Sequence, residues 1–403
     1  MRLANVELDR RLDVKLDKSM KSVDDNVNGF MSFGEKNDYP QIIEKIINGS
    51  VTAKAAAGVM AKFLVGSGFE NEVINSIVIG RDPRNKAVTV LGLLRQAALS
   101  VAYYNGFYIH TNANLDRVIG NARVLPFKNC RFSKMDDWGY SAKIGVYDNW
   151  SKEGITGNKS KPVWYPVFNT NEKAFASLIA DAGGPEKFKG MIYFQSFDEQ
   201  YFYPLSPFDP CYLDADTEQQ IAIFKNNSIR NGFTKKLLAR IAAESDEEFD
   251  KIADAIKKML GADGDNAVML EADVDPATGK ISKDNDLALD YIDSSINDKL
   301  FENWEKNLAN NIRKSVLAIP AVLIDYEESK LGSTSGEAII QATNFYNAMT
   351  QDYRALISQS FREIFSRFDN PVLQANQNWN IKPINLYDTT TNTATIATGA
   401  AGN

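Results

Sequence analysis

The side chains that most often do chemistry are scarce in this sequence. The chain of 403 residues has a single histidine, His110, and two cysteines, Cys130 and Cys211. A Ser-His-Asp triad, a histidine-based metal site or a Cys-His pair would have to use that one imidazole. His110 stands in the strand-like segment FYIHTN, where a half-buried structural role is the simpler interpretation. We expect two buried, free thiols in a reducing compartment, and one disulfide remains an alternative.

Glycine-rich and acidic stretches do not match the loops that bind phosphate or calcium. GSGFENE at 66–72 lacks the Lys-Ser/Thr pair of a phosphate loop, and a helix end explains it better. An EF-hand counted from Asp273 would place Thr278 where that loop needs glycine. We therefore interpret DPATG at 275–279 as a hairpin turn.

Carboxylates and aromatic residues give no catalytic pattern either. Asp136 and Asp137 are adjacent, and the acidic residues at 246–248 fit a helix N-terminus. Glycosidase chemistry has no positive support in their spacing. Four tryptophans could bind sugars or bases, although packing is the more frequent reason for such residues: Trp138, Trp150, Trp164 and Trp304. We expect no catalytic residue, no metal and no cofactor.

The amino-acid composition limits which classes of protein remain possible. Apolar residues are 44% and charged residues 24%, so two or three domains with a sizeable core are expected. The net charge of −7 argues against a basic clamp on nucleic acid, but not against a protein past which nucleic acid slides. Residues 1–19 lack the apolar region of a signal peptide, and no apolar run reaches the roughly 20 residues that span a bilayer. We expect a protein made in a cytoplasm, with no membrane contact.

Periodicity predicts a helical start, a strand-rich middle and long helices near the end. Helices are expected over 39–49, 50–66 and 85–106, and antiparallel strands between 107 and 198. Further on, the predicted elements are a helix at 215–230, a capped helix at 245–260 followed by the hairpin, and helices at 286–317 and 336–368. The overall expectation is an α+β fold.

The apolar residues of the helix predicted at 286–317 wind around it. They are Leu289, Ile292, Ile296, Leu300, Trp304, Leu308, Ile312 and Val316. At roughly 100° per residue, the first and last are about half a turn out of phase. Either the helix kinks near its middle, or it crosses neighbours that change along its length.

Four stretches, in this order, carry a resemblance to a known family. They are AKAAAGVMAKFLVGSGFENE, LGLLRQAALSVAYYNGFYIHTNAN, YFYPLSPFDP with the helix and NGF segment that follow it, and KSVLAIPAVLIDYEESKLGSTSGEAII with the helix behind it. Together they resemble the portal proteins of tailed bacteriophages, in the short siphovirus-type or HK97-like group. The resemblance covers roughly residues 38–368. The strand region at 107–198 matches only in its kinds of residues, which are β-branched and aromatic segments separated by turn residues.

The resemblance implies a domain plan and a function. The plan is an N-terminal arm at 1–36, a helical and antiparallel-sheet wing at 37–213 and 337–385, stem helices at 214–232 and 286–317, a small αβ clip at 233–285, a tunnel loop at 318–336 and a disordered tail at 386–403. The implied function is a dodecameric ring at a capsid vertex that passes double-stranded DNA during packaging and ejection. The implied partners are the terminase large subunit, a head–tail adaptor, the major capsid protein and scaffold. The implied location is the virion, after assembly in the host cytoplasm.

Site residues follow from the same resemblance. The DNA-facing tunnel residues would be Asp325, Tyr326, Glu327, Glu328, Lys330 and Ser333. Packing between stems of neighbouring subunits would use Leu300, Trp304, Leu308 and Ile312. The partner-facing residues of the clip would be Glu247, Lys251, Asp275 and Lys280.

Two other classes stay open from the residues alone. One is another head or connector structural protein of a phage, and the other is a soluble enzyme of unknown type. Without the resemblance, the segment 318–336 would be interpreted as an ordinary exposed loop.

Overall fold

The computed structural model contains both helices and antiparallel sheets, which confirms the predicted α+β class. It describes residues 22–23, 29–34, 36–116, 118–150, 161–230, 236–241, 267–271, 290–292, 298–325 and 335–386.

The helices of the described residues are α1 Tyr39–Gly49, α2 Val51–Val65, α3 Glu72–Asn75, α4 Val90–Tyr104, α5 Glu172–Asp181, α6 Tyr212–Arg230, α7 Asp298–Ser315, α8 Ser335–Met349, α9 Gln351–Phe365 and α10 Pro371–Ala375. The strands are β1 Ser22–Val23, β2 Phe30–Met31, β3 Val78–Arg81, β4 Ala87–Thr89, β5 Gly106–Ala113, β6 Ile119–Leu125, β7 Cys130–Phe132, β8 Lys143–Val146, β9 Val163–Pro166, β10 Met191–Ser196, β11 Lys236–Ile241, β12 Ala267–Glu271 and β13 Asp290–Ile292.

The described residues fall into two compact units. The larger contains those up to Tyr212 and those from Asn310 onward, and the smaller contains those from Leu213 to Ala309. In the smaller unit, β11 pairs in parallel with β12 and antiparallel with β13. The helix predicted at 245–260 and the turn at 275–279 lie outside the described residues.

The helical start of the larger unit follows the sequence for α1 and α2, whereas the helix predicted over 85–106 begins only at Val90, after strand β4. Ser50 caps α2 by accepting a hydrogen bond from the Ala53 amide at 3.0 Å. Gly66 ends that helix at φ 55°, and a Cβ there would lie 2.1 Å from the carbonyl oxygen of Lys382. The predicted end of α4 differs by one residue, because Asn105, rather than glycine, takes the left-handed conformation at φ 59°.

Two antiparallel sheets form the strand-rich middle, as predicted. One has the order β10-β5-β6 and the other β7-β8-β9. A parallel bridge between Val167 and Ile192 links them. The sequence pattern missed α5, whose cap Asn171 accepts from the amides of Lys173 and Ala174.

The segment before α1 differs from the predicted free arm. Phe30 and Phe33 are each 3% exposed, and Phe33 stacks between Tyr39 and Tyr203 with ring centroids 4.3 and 4.7 Å away. Residues 29–34 therefore belong to the core of the larger unit, because their aromatic side chains bury more apolar area there than an extended arm could. Residues 1–21 lie outside the described part.

The helix predicted at 286–317 begins later than its apolar pattern suggested. Asp290–Ile292 is strand β13, and α7 starts at Asp298. Ile292 therefore does not belong to the helical stripe. The drift persists within α7, because Leu300 and Ile312 are about 120° out of phase at roughly 100° per residue.

The long helix predicted at 336–368 is interrupted at Thr350. There the Thr350 hydroxyl donates to the Tyr346 carbonyl at 2.8 Å, and Arg354 donates to Thr350 Oγ1 at 2.6 Å and to the Asn347 carbonyl at 2.8 Å. Side-chain hydrogen bonds of this kind compete with the backbone ladder and bend helices. The chain thus passes from α8 to α9 through one non-helical residue, Thr350, at φ −97° and ψ 3°.

After α10 the chain returns to the start of the larger unit. The amide of Lys382 donates to Gly68 at 2.8 Å, and the amide of Ser67 donates to Lys382 at 2.9 Å. Trp379 stacks on Phe365 with centroids 5.0 Å apart. This return holds α9 beside the end of α2, and Asn347 on α8 donates a hydrogen bond to the Ile384 carbonyl at 2.8 Å.

Candidate functional site

His110 occupies a structural position in β5. It is 8% exposed, and its Nε2 lies 2.8 Å from the Lys189 carbonyl oxygen. Its ring packs edge-on against Tyr165 with centroids 4.9 Å apart. Burial lowers the pKa of His110, so the imidazole is neutral at neutral pH.

Neither Cys130 nor Cys211 forms a disulfide, and both are buried, as predicted. Cys130 is 1% exposed and Cys211 is 3% exposed, and each lies 3.6 Å from a backbone carbonyl oxygen. Burial raises the pKa of Cys130 far above the usual range of a thiol. A thiol that stays protonated is a poor nucleophile.

Within the described ranges, no three His, Cys, Asp or Glu side chains come together in a way that could hold a metal ion. No helix in that part of the chain is long and apolar enough to cross a membrane.

An ion pair joins the two helices predicted as stems. The exposure of the apolar side chains on α7 decreases toward the C-terminal end of that helix. In the smaller unit, Lys225 on α6 binds Glu305 on α7. Along α7, Trp304 is 50% exposed, Leu308 is half-buried and Ile312 is 0% exposed. Ile312 is a core residue of the chain itself, which differs from the predicted contact with a neighbouring subunit. Leu300 lies in the first turn of α7.

The chain after α7 is fixed to the larger unit by buried side chains. Val316 is 0% exposed and Ile319 is 3% exposed. The Ser315 hydroxyl donates to the Pro207 carbonyl at 2.5 Å, and the Tyr346 hydroxyl of α8 donates to the Val316 carbonyl at 3.4 Å. These contacts hold the residues that lead into the predicted tunnel loop.

An ion pair closes the beginning of that loop. The guanidinium of Arg313 lies 2.6 Å from the Asp325 carboxylate and also donates to the Asn310 side chain. The Asp325 amide donates to the Ala321 carbonyl at 2.7 Å. Asp325 is thus neutralised by a partner in its own chain. The role of Arg313 was not predicted from the sequence. The one feature that pointed to it is the position of this cation in the last turn of a helix.

The other predicted site residues have no described position. Tyr326, Glu327, Glu328, Lys330 and Ser333 of the tunnel loop lie outside the described residues. So do all four of the partner-facing residues predicted in the clip, Glu247, Lys251, Asp275 and Lys280.

Two consecutive residues at the end of α7 adopt left-handed backbone conformations. Leu317 has φ 52° and Ala318 has φ 51°. Side chains with a Cβ pay roughly 1–2 kcal/mol each for this geometry. The turn from α7 toward the loop is therefore strained. No residue type in the local sequence predicts this left-handed conformation.

Replacing Ala318 with glycine is expected to stabilise the chain. Glycine adopts a φ of this sign without the steric cost, although its greater freedom in the unfolded chain offsets part of the gain. We expect Ala318→Gly to raise the free energy of unfolding by about 0.5–1 kcal/mol in urea titrations. Ala321→Gly is the matched control and should lower it, since Ala321 has no positive φ to relieve. A decrease for both variants would contradict the strained turn.

Comparison with known proteins gives matches among solved structures alone. No family model matches the chain, and no curated protein does. A chain in the virion of a native gene transfer agent particle is 11% identical, with a TM-score of 0.49 over 82% of this chain and 80% of that one. A chain in the neck of the native particle is also 11% identical, with a TM-score of 0.48 over 82% of both chains.

A third match is an HK97 family phage portal protein from Corynebacterium diphtheriae. It is 8% identical, with a TM-score of 0.36 over 76% of this chain and 89% of that chain. That is the family named by the sequence resemblance. Since these TM-scores lie below 0.5, the function of this chain is derived from its own residues.

Proposed function

We propose that this chain is a portal subunit, which assembles into a ring with a central channel at one capsid vertex. Double-stranded DNA would pass through the channel during packaging and ejection. Twelve copies would form the ring, with the terminase large subunit docked during packaging and a head–tail adaptor afterwards. The major capsid protein and scaffold would surround it, first in the host cytoplasm and then in the virion.

The observation that carries this proposal is the anchored segment between α7 and α8. Buried Val316 and Ile319 fix its beginning, and the pair between Arg313 and Asp325 closes its base. Helix resumes at Ser335. A loop held firmly at its base can present its tip to a channel without loosening the wall behind it.

The charge of this segment suits a channel along which DNA slides. Arg313 neutralises Asp325, so the acidic groups left to the loop are Glu327 and Glu328, with Lys330 as its one cation. Phosphates are gripped by clusters of Lys and Arg, and each such contact strengthens binding. A mildly acidic lining would bind DNA weakly and let it slide. The net charge of −7 on the whole chain agrees with such a lining.

The domain plan is the second support. α6 and α7 bracket the three strands β11, β12 and β13 in the sequence, as stem helices would bracket a clip. The ion pair between Lys225 and Glu305 joins the two helices. We assign 214–232 and 298–317 to the stem, 233–285 together with strand β13 to the clip, and 37–213 with 337–385 to the wing.

We also propose that the chain is not an enzyme. The single histidine is buried and bound to a backbone carbonyl, and both thiols are buried. Transport of DNA through a ring needs no catalytic group in the ring itself, because the terminase would supply the work.

Replacing the tip of the loop tests the channel directly. A Gly/Ser linker of equal length at 326–334 keeps Asp325 and its partner, so rings should still form. We expect heads that lose packaged DNA, measured as the nuclease-protected DNA per particle. The matched control is Asp325→Asn, which alters the base and keeps the tip. Normal DNA content with the linker would contradict a role of this segment in the channel.

A further inference from the structure

The hairpin between β7 and β8 ends in two exposed aromatic side chains. Trp138 is 85% exposed and Tyr140 is 73% exposed. Soluble chains seldom present a tryptophan so fully to solvent, and aromatic residues in such positions are enriched at the centres of protein interfaces. We call Trp138 and Tyr140 the knob.

The knob is held in a defined conformation by its own turn. The Asp136 carboxylate accepts hydrogen bonds from the amides of Trp138 at 3.0 Å and Tyr140 at 2.8 Å. The Asp136 amide donates to the Tyr140 carbonyl at 2.9 Å, and Gly139 supplies the φ of 83° that the turn requires. A preformed projection loses little entropy when it binds a partner.

A groove of suitable size lies elsewhere on the same unit. Its volume is about 420 Å³, and its walls come from α1, α2, α4 and the end of β6. Tyr104 and Phe127 stack at 4.7 Å within it, and Leu99 on its rim is 49% exposed. Lys54 and Lys128 also line it. We call these residues, together with Tyr103, the aromatic groove.

The residues that flank the knob are acidic, whereas the groove has two cations, Lys54 and Lys128, and one acidic lining residue, Glu44. Asp136 and Asp137 flank Trp138, and both are exposed. In the groove, Lys54 binds Asn48 at 2.6 Å and lies 5.1 Å from the centre of the Tyr103 ring. Lys128 pairs with Glu44 at 2.8 Å, and 41% of its side chain remains exposed. A neighbouring carboxylate could therefore approach the groove from solvent.

We propose that the knob of one copy inserts into the aromatic groove of the next copy. The occupant is a second copy because knob and groove belong to one chain and match in size, apolar character and charge. Trp138 does not fill its own groove, since it is 85% exposed. A contact between two different surfaces is heterologous, and such contacts generate closed rings when the rotation closes. This inference rests on the proposed function and names part of its assembly interface.

Cross-linking between two cysteine variants tests the contact. Lys134→Cys lies at the base of the hairpin and keeps both aromatic residues, and Gln96→Cys lies on the groove. We mix the two variants under conditions in which the wild-type chain forms rings and add a flexible bismaleimide. The expected product is a dimer that contains one chain of each variant. The native thiols are buried and serve as the background in the wild-type chain.

A second pairing distinguishes this groove from another on the same unit. That other groove is lined partly by Pro166, Phe168 and Leu178, and Glu172→Cys lies beside it on α5. Cross-linking of Lys134→Cys to Glu172→Cys, or to itself, in place of Gln96→Cys would overturn the proposed contact.

Removing the indole measures what the contact contributes. We expect Trp138→Ala to raise the protein concentration at half-assembly roughly 30-fold, as loss of an interface hot spot does. Its unfolding curve should stay unchanged because the side chain is exposed. Leu115→Ala is the matched control, since Leu115 is 69% exposed and outside both surfaces.

The outcomes separate this inference from the proposed function. Wild-type rings with an unaffected Trp138→Ala variant would overturn the knob-and-groove contact and leave the ring itself in place. A wild-type chain that never forms rings would overturn both. Assembly that is normal until capsid protein is added, and then fails for Trp138→Ala, would assign the knob to another partner and also overturn the contact between copies.

Discussion

Trp304→Asp is expected to leave the chain folded and to abolish ring formation. Trp304 lies on α7 and is 50% exposed in the single chain. In a ring, its exposed half would be buried by the neighbouring stem, and a carboxylate there would be desolvated without a partner. A loss of about 2–4 kcal/mol at every subunit interface is enough to prevent closure. Sedimentation velocity of the purified variant measures this directly.

Two comparison variants make the result specific to the stem. Tyr201→Asp places the same charge at an aromatic residue that is 43% exposed and far from α7 in the sequence, and rings should persist. Ile312→Asp should instead unfold the chain, because Ile312 is 0% exposed. Rings of normal mass from Trp304→Asp would refute packing between stems at this residue.

Arg131→Met is expected to cause a large loss of stability. The Arg131 side chain is 0% exposed and donates to Asn37 Oδ1 at 2.5 Å, to the Asn37 carbonyl at 2.9 Å and to the Cys130 carbonyl at 2.8 Å. It also lies 6.0 Å from the centre of the Trp150 ring. Methionine fills similar space but removes these three hydrogen bonds, at a cost of about 3–5 kcal/mol.

Chemical unfolding followed by tryptophan fluorescence measures that cost. Arg84→Met is the matched control, since 86% of the Arg84 side chain is exposed and its change should stay within about 0.5 kcal/mol. Equal shifts for the two variants would contradict the structural role of Arg131. Arg131→Lys should recover part of the loss, because an ammonium group cannot reproduce the planar fork of the guanidinium.

Local signals in the sequence predicted much of the larger unit. Ser50 and Gly66 bound α2 as the capping rules require, and the β-branched and aromatic segments after residue 106 form antiparallel strands. These features depend on neighbours within a few residues. A single sequence contains that information.

What was missed depends on contacts between distant parts of the chain. Arg131 is held by Asn37, and the break between α8 and α9 depends on the hydroxyl of Thr350 and its partner Arg354. The pair between Arg313 and Asp325 joins residues on either side of a turn whose left-handed geometry no residue type announces. Each is a tertiary arrangement that periodicity cannot encode.

The candidate site also contains some features that the sequence predicted and others that it did not. The apolar segment that leads into the predicted tunnel loop begins at a buried residue, because Ile319 is 3% exposed in the larger unit. The resemblance implied that Ile312 faces a neighbouring subunit, but a resemblance does not reveal which face of the helix the chain's own core already covers. Trp304 keeps the exposure that the stem hypothesis needs.

Negative-stain electron microscopy of the purified chain, together with its native mass, tests the central claim most directly. A portal subunit should give closed rings with a central channel and a mass near twelve times that of one chain. A compact monomer at every salt and protein concentration would contradict the portal assignment and direct attention back to the enzyme alternative.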